Sequence, residues 1–207
     1  MAVEPDDAIL DHLARSVSDD AGVRCVNTSV VLTTGDPARL ADALAERLAA
    51  LPPAPVTDPA ARLPAFDHVR AEALRISLGR LAAAGFVDHS SPRYGGDPLP
   101  ALPDGSTVAR PVVLSTAQPR HPLTDTELPF PFAIVAPWRG ELAPLRDSLV
   151  LNLIGAEPDL IERAMHEPSV RTVTVGLTPA WPLPTGVPHD GSLTGFLMEP
   201  KAQLGTR

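Results

Sequence analysis

The sequence has 207 residues, a net charge of −8 and a single cysteine. That length supports one large domain or two small ones, the acidic balance without a basic stripe argues against a nucleic-acid binder, and one cysteine excludes an internal disulfide. No apolar run is long enough to span a bilayer, and the acidic start Met-Ala-Val-Glu-Pro-Asp-Asp lacks signal-peptide character, so a cytoplasmic protein is expected.

The apolar pattern predicts a helix over residues 6–19, with Ile9, Leu10, Leu13 and Val17 on one face and Asp6 and Asp7 at its positive end. Cys25 follows Gly22 and Arg24, and a β-branched run predicts a strand over 26–33. Asp36 and Pro37 have the chemistry of an N-cap and first helical position, starting a helix to about Leu51 with Leu40, Leu44, Leu48 and Leu51 on one stripe. Residues 52–64 hold five of the 25 prolines and form a connection. A second long helix is expected over 67–84, with Val69, Ala73, Ile76, Arg80 and Ala84 on one side and Leu74, Leu78 and Leu81 on another. Gly95-Gly96 and the proline-rich 98–104 make a further connection; without a helix start after it, this is no phosphate loop. Strands are expected over 108–115, 132–136, 148–154 and 169–175, with a helix from Gly155-Ala156-Glu157-Pro158 to about His166. A Gly/Pro-rich loop, 176–191, and a short apolar segment, 192–198, complete the chain. The strands are continuous apolar runs, as in sheets covered on both faces. The expectation is a three-layer α/β fold with a mainly parallel sheet, 148–175 being its best strand–helix–strand unit, and one domain spanning 1–207.

Three groups of residues could carry chemistry. Cys25, at the mouth of a strand, suits a nucleophile, because a thiol is partly ionised near neutral pH and is intrinsically reactive. On the local sequence alone, the same residue also reads as a small buried hydrophobe, as free cysteines commonly are. Arg24 is its neighbour in sequence, but adjacent side chains on an extended segment point apart. Glu127 stands just before the apolar strand at 132, where loop residues carry ligand groups in α/β sheets. Its other reading is a solvated loop carboxylate. The histidines His12, His68, His89, His121, His166 and His189 show no zinc-type spacing, so no metal is expected. No GxSxG, P-loop or GxGxxG is present.

In this order, the segments resemble the catalytic domain of the aldehyde dehydrogenase superfamily. Gly22-Val-Arg-Cys-Val-Asn-Thr-Ser29 is similar to that family's cysteine motif, and the helices that follow, with Gly95-Gly96, match its sequence of elements. Glu127-Leu-Pro-Phe-Pro-Phe132 resembles Glu-Ile-Phe-Gly-Pro, with Pro-Phe where the family has Phe-Gly. Leu149–Val175 and His189-Asp-Gly-Ser-Leu-Thr-Gly-Phe-Leu-Met-Glu-Pro-Lys201 resemble the segments that close the domain, without the usual Ser-Gly element. The Arg-Cys-Val-Asn-Thr-Ser form looks closest to the acyl-CoA-reductase-like and phenazine antibiotic biosynthesis-like branch.

The resemblance implies an oxidoreductase in which Cys25 attacks an aldehyde or an acyl thioester, with its own backbone N–H holding the oxyanion. It implies NAD or NADP as cofactor, with Glu127 at the nicotinamide ribose and Phe130 or Pro129 near the nicotinamide. The family's cofactor domain precedes the cysteine, and Met1 stands only 24 positions before Cys25. A separate cofactor domain is therefore expected, and the expected association is with a cofactor-domain partner or as a homo-oligomer. Two other readings compete: a non-catalytic scaffold subunit derived from the family, and a cysteine acyltransferase pairing Cys25 with a loop histidine.

Overall fold

A computed structural model describes residues 5–182. The chain divides into two compact units, the second beginning at Leu145.

In the first unit, helix α1 (Asp7–Ser18) begins where its sequence dictates: the Asp6 carboxylate accepts from the Ile9 N–H at 2.8 Å. It buries Leu10, Leu13, Ala14 and Val17, one face of a 3.6-residue period. A 3₁₀ turn (Asp19–Gly22) follows, then strand β1 (Val30–Thr33). This strand is shorter than the run 26–33 suggests. The Thr28 N–H donates to the Ser16 carbonyl at 2.9 Å, so the chain first folds back on the end of α1 and joins the sheet only at Val30. Helix α2 (Pro37–Leu48) is capped by Asp36, which accepts from Ala38 and Arg39, and Pro37 costs it no hydrogen bond at that position. Leu40, Leu44 and Leu48 are buried.

Strand β2 (Ala65–Phe66) leads into helix α3 (His68–Ala83), capped by Asp67. Of its two apolar sides, that of Leu74 and Leu81 is buried, whereas Val69 is 76 % exposed and Ile76 50 %. Strand β3 (Val87–Asp88) follows. The expected strand 108–115 is two: β4 (Thr107–Val108) pairs antiparallel with β2, and β5 (Val112–Ser115) enters the main sheet. The break falls at Pro111, which has no N–H to give a ladder, while the Arg110 N–H turns aside to the Pro98 carbonyl at 2.8 Å. Strand β6 (Phe132–Pro137) completes this unit.

The main sheet runs β1-β6-β5-β3. β1 and β5 lie parallel to β6, with Val30 opposite Ile134 and Val112 opposite Phe132. Only β3, at the edge, is antiparallel. Val112, Leu114, Phe132 and Ile134 pack with Leu74 and Leu81 of α3 on one face. Val113, Ala133 and Val135, which alternate with them, are buried too, and α2 packs against β5 and β6. Helices thus cover both faces of a mainly parallel sheet, giving the three layers expected. Each fully buried aliphatic side chain of this core contributes about 1.5–3 kcal/mol.

The second unit holds the expected strand–helix–strand: β7 (Val150–Leu153), α4 (Pro158–Met165) and β8 (Thr172–Val175). β7 and β8 are parallel, Val150 opposite Thr172, and form a two-stranded sheet of their own. The segment 192–198, His189 and the motif ending at Lys201 lie outside the described residues. No helix among the described residues is long and apolar enough to cross a membrane.

Candidate active site

The site begins where α1 ends. Asp20 (φ 50°, ψ 46°), Ala21 (φ 59°, ψ 19°) and Gly22 (φ 69°) are three successive left-handed residues. Two of them carry side chains, so the turn holds strain of about 1–2 kcal/mol for each. What holds it is close packing. A Cβ on Gly22 would lie 2.7 Å from the Phe130 carbonyl carbon and 2.7 Å from the Pro131 Cα, and would also overlap the Pro131 nitrogen. The cysteine loop therefore sits backbone-to-backbone on the segment that carries Glu127 and Phe130.

Asn27 fixes the other side of the loop. Its Nδ2 donates to the carbonyls of Ser16 and Asp19, both at 3.1 Å, and its Oδ1 accepts from the Arg24 N–H at 2.7 Å. Val26 is buried beneath. Arg24 directs its Nε to the Asp20 carboxylate at 2.9 Å. Cys25, between these anchors, is exposed in a turn, so the buried-hydrophobe reading of this residue is overturned. Replacing Asn27 with Ala leaves three backbone groups without their side-chain partner; we expect a loss of about 1–3 kcal/mol in chemical denaturation, and an unmoved midpoint would show that water replaces it fully.

Glu127 is exposed in the loop before β6, and among the described residues its carboxylate makes no hydrogen bond or ion pair. Phe130 is placed differently from what the resemblance implies. It is only 1 % exposed, in the core with Leu74 and Leu81, its ring edge-on to Phe132 at 6.0 Å between centroids. Its bulk supports the backbone on which Gly22 rests and offers no open ring face. Pro129 is exposed.

Because β1, β6 and β5 are parallel, the residues preceding them share one edge of the sheet. Cys25, Glu127 and Arg110 all stand at this amino edge. That differs from the usual rule for open α/β sheets, whose ligands sit at carboxyl ends. Arg110 lies over the Tyr94 ring, 3.9 Å from its centroid, and the Tyr94 hydroxyl donates to the Pro111 carbonyl at 3.1 Å. Burial pushes the Tyr94 phenol up to about 12, against the opposing pull of the Arg110 charge. The Arg110 Nε is buried without a hydrogen-bond partner. An unpaired buried donor costs about 1–3 kcal/mol, which a cation–π contact of about 0.5–2 kcal/mol offsets in part.

At the carboxyl end of β5, His89 Nε2 lies 2.8 Å from Ser115 Oγ and its Nδ1 3.7 Å from Asp42 Oδ1. The order of groups is that of a catalytic triad, but Ser115 is 3 % exposed and no substrate reaches it. His121 accepts from the Leu123 N–H at 3.1 Å and packs edge-on against Phe86. Both histidines have structural partners.

This architecture occurs in solved enzymes. An indole-3-acetaldehyde dehydrogenase complexed with NAD+ matches with a TM-score of 0.68 and 19 % identity, over 83 % of this chain and 35 % of its own. The chain has the fold of one part of an aldehyde dehydrogenase. An NAD-dependent aldehyde dehydrogenase from Sinorhizobium meliloti (TM-score 0.61, 12 % identity) shares it over 82 % of this chain and 34 % of its own. A 3,6-anhydro-L-galactose dehydrogenase (TM-score 0.65, 14 % identity) does so over 84 % and 38 %. The chain thus spans about a third of the length of these dehydrogenases. No protein-family model matches the sequence, and no curated protein matches it significantly.

The sequence singles out Cys25 and Glu127 and gives no prominence to Asn27 or Arg110. Asn27 was legible only as a motif letter. The pairing of Tyr94 with Arg110 has no sequence signal, because a long irregular connection separates them.

Proposed function

We propose that this chain is the cysteine-bearing part of an aldehyde dehydrogenase-like oxidoreductase, acting on an aldehyde or an acyl thioester. The observation that carries it is the exposed thiol on a strained turn, locked by Gly22 against the Glu127–Phe132 segment. A nucleophile needs a fixed backbone and open space, and this turn supplies both.

Cys25 Sγ, as thiolate, attacks the carbonyl carbon. The new C–S bond forms as the carbonyl π electrons move to oxygen, giving a tetrahedral oxyanion that the Cys25 backbone N–H stabilises. From a thioester, the oxyanion collapses by breaking the bond to the original thiol, which leaves as thiolate, and Cys25 carries the acyl group.

The residues present fit NAD or NADP in one respect. Glu127 is an open carboxylate acceptor beside the cysteine loop, suited to ribose hydroxyls. The buried Phe130 ring does not serve as a nicotinamide contact. A bound nicotinamide dinucleotide would supply the hydride acceptor or donor. The sequence carries no Gly-rich dinucleotide motif, so a separate cofactor domain would hold the rest of the molecule, from a partner or a further part of a longer polypeptide. Isolated chain should show no NAD(P) binding by calorimetry; micromolar binding would sink the separate-domain reading. The nucleophile itself is tested by intact mass after incubation with an acyl thioester, where one acyl adduct mapping to Cys25 is expected. Folded protein that never acylates would favour a non-catalytic scaffold.

A further inference from the structure

We propose that Arg110, stacked on Tyr94, is an anion receptor at the amino edge of the sheet, taking a phosphate or carboxylate group of the ligand whose carbonyl or ribose lies at Cys25 and Glu127. The proposal rests on the amino edge being the ligand site, and it specifies the ligand's chemistry: a negative charge well removed from the reacting carbon.

A continuous run of contacts joins Arg110 to the cysteine loop. Gly22 rests on Phe130 and Pro131. The Pro131 carbonyl accepts from the Val112 N–H at 2.9 Å, and the Pro111 carbonyl accepts from Tyr94. Tyr94 supports the Arg110 guanidinium. β5 lies two strands from β1, roughly 10 Å at ordinary strand spacing.

Nearby acids are committed elsewhere. Asp88 accepts from Ser90 N and from the Ser91 hydroxyl. Asp97 accepts from Leu99 N at 2.9 Å and lies 3.5 Å from Arg75. Among the described residues the Arg110 guanidinium has no carboxylate partner and no hydrogen bond. Arg93, by contrast, is engaged by Asp42 and Glu46. A planar guanidinium held by an aromatic face, its charge unmatched, suits bidentate recognition of phosphate or carboxylate.

Such an anion has two sources: the substrate's own charged tail and the phosphates of a dinucleotide. Tyr94 is the only tyrosine in the chain, so its ring resonances report the site directly. Titration with inorganic pyrophosphate, at constant ionic strength set with chloride, should shift them saturably. The response should weaken roughly ten- to hundredfold in Arg110→Gln and less in Arg110→Lys, which keeps the charge. A linear shift that chloride reproduces, or one unchanged in both variants, would overturn the proposal. Cys25 acylation then separates the sources. If Arg110→Gln slows an anionic acyl thioester roughly tenfold or more but spares a neutral one, the receptor serves the substrate. If it spares both while pyrophosphate binding is lost, the receptor serves a dinucleotide phosphate. If it slows both equally, the effect is structural and the proposal fails. A Tyr94 titration that saturates while Cys25 never acylates would leave the anion site standing and remove only the catalytic reading.

Discussion

Gly22→Ala should destabilise the first unit by about 2–5 kcal/mol in chemical denaturation, more than any other single methyl added at a glycine of this unit. The added Cβ meets backbone atoms of Phe130 and Pro131 at 2.7 Å, and backbone cannot swing aside as the end of a flexible side chain can. Overpacking of this kind costs about 1–3 kcal/mol, and the left-handed conformation (φ +69°) adds about 1–2 kcal/mol for a residue with a Cβ. Gly105 gives the control. It has φ +83°, and a Cβ there would meet nothing within 4 Å, so Gly105→Ala carries the conformational cost alone, about 1–2 kcal/mol. If the two variants lose equal stability, the close approach of the cysteine loop to the strand entry is not what holds the site.

Cys25→Ala should abolish the acyl adduct completely while changing stability by no more than about 0.5 kcal/mol, the usual range for an exposed position. The stronger test compares rates. In the folded chain Cys25 should acylate at least about tenfold faster than in urea, since a positioned backbone N–H that stabilises an oxyanion is worth more than that factor. Equal rates would make Cys25 an ordinary exposed thiol. An adduct that persists in Cys25→Ala would place the nucleophile elsewhere. The two tests are linked: a Gly22 substitution that still folds should bring the acylation rate toward the unfolded value, because the turn no longer presents the thiol from a fixed backbone.

Local chemistry made much of this architecture legible. Asp6, Asp36 and Asp67 each cap the helix that follows, because a short carboxylate satisfies orphan N–H groups within its own few residues. The apolar runs that became β5 and β6 were visible because both faces of a covered sheet demand apolar side chains. Cys25 and Glu127 stood out because each is a chemically distinctive residue set before such a run. Amphipathic pattern served less well for α3, where two apolar sides compete and only packing reveals which is covered. Phe130 misled for the same reason: an aromatic next to a motif looks identical in sequence whether it faces a ligand or the core.

Contacts between distant segments set the rest. Nothing in residues 26–29 reveals that Asn27 will bond back to Ser16 and Asp19 in preference to joining the sheet. The Arg110 N–H, at the break between β4 and β5, finds its acceptor in the distant carbonyl of Pro98. That Gly22 must be a glycine is a property of Pro131, more than a hundred positions away. Which segments become the long helices and the central strands follows from the order of residues alone, because capping, periodicity and composition act over a few positions; that the Cys25 thiol is exposed does not. That Cys25, Glu127 and Arg110 share the amino edge follows only from the folded chain. Their juxtaposition arises from the parallel pairing of β1 and β5 on either side of β6, and strand order is set by contacts no local stretch contains.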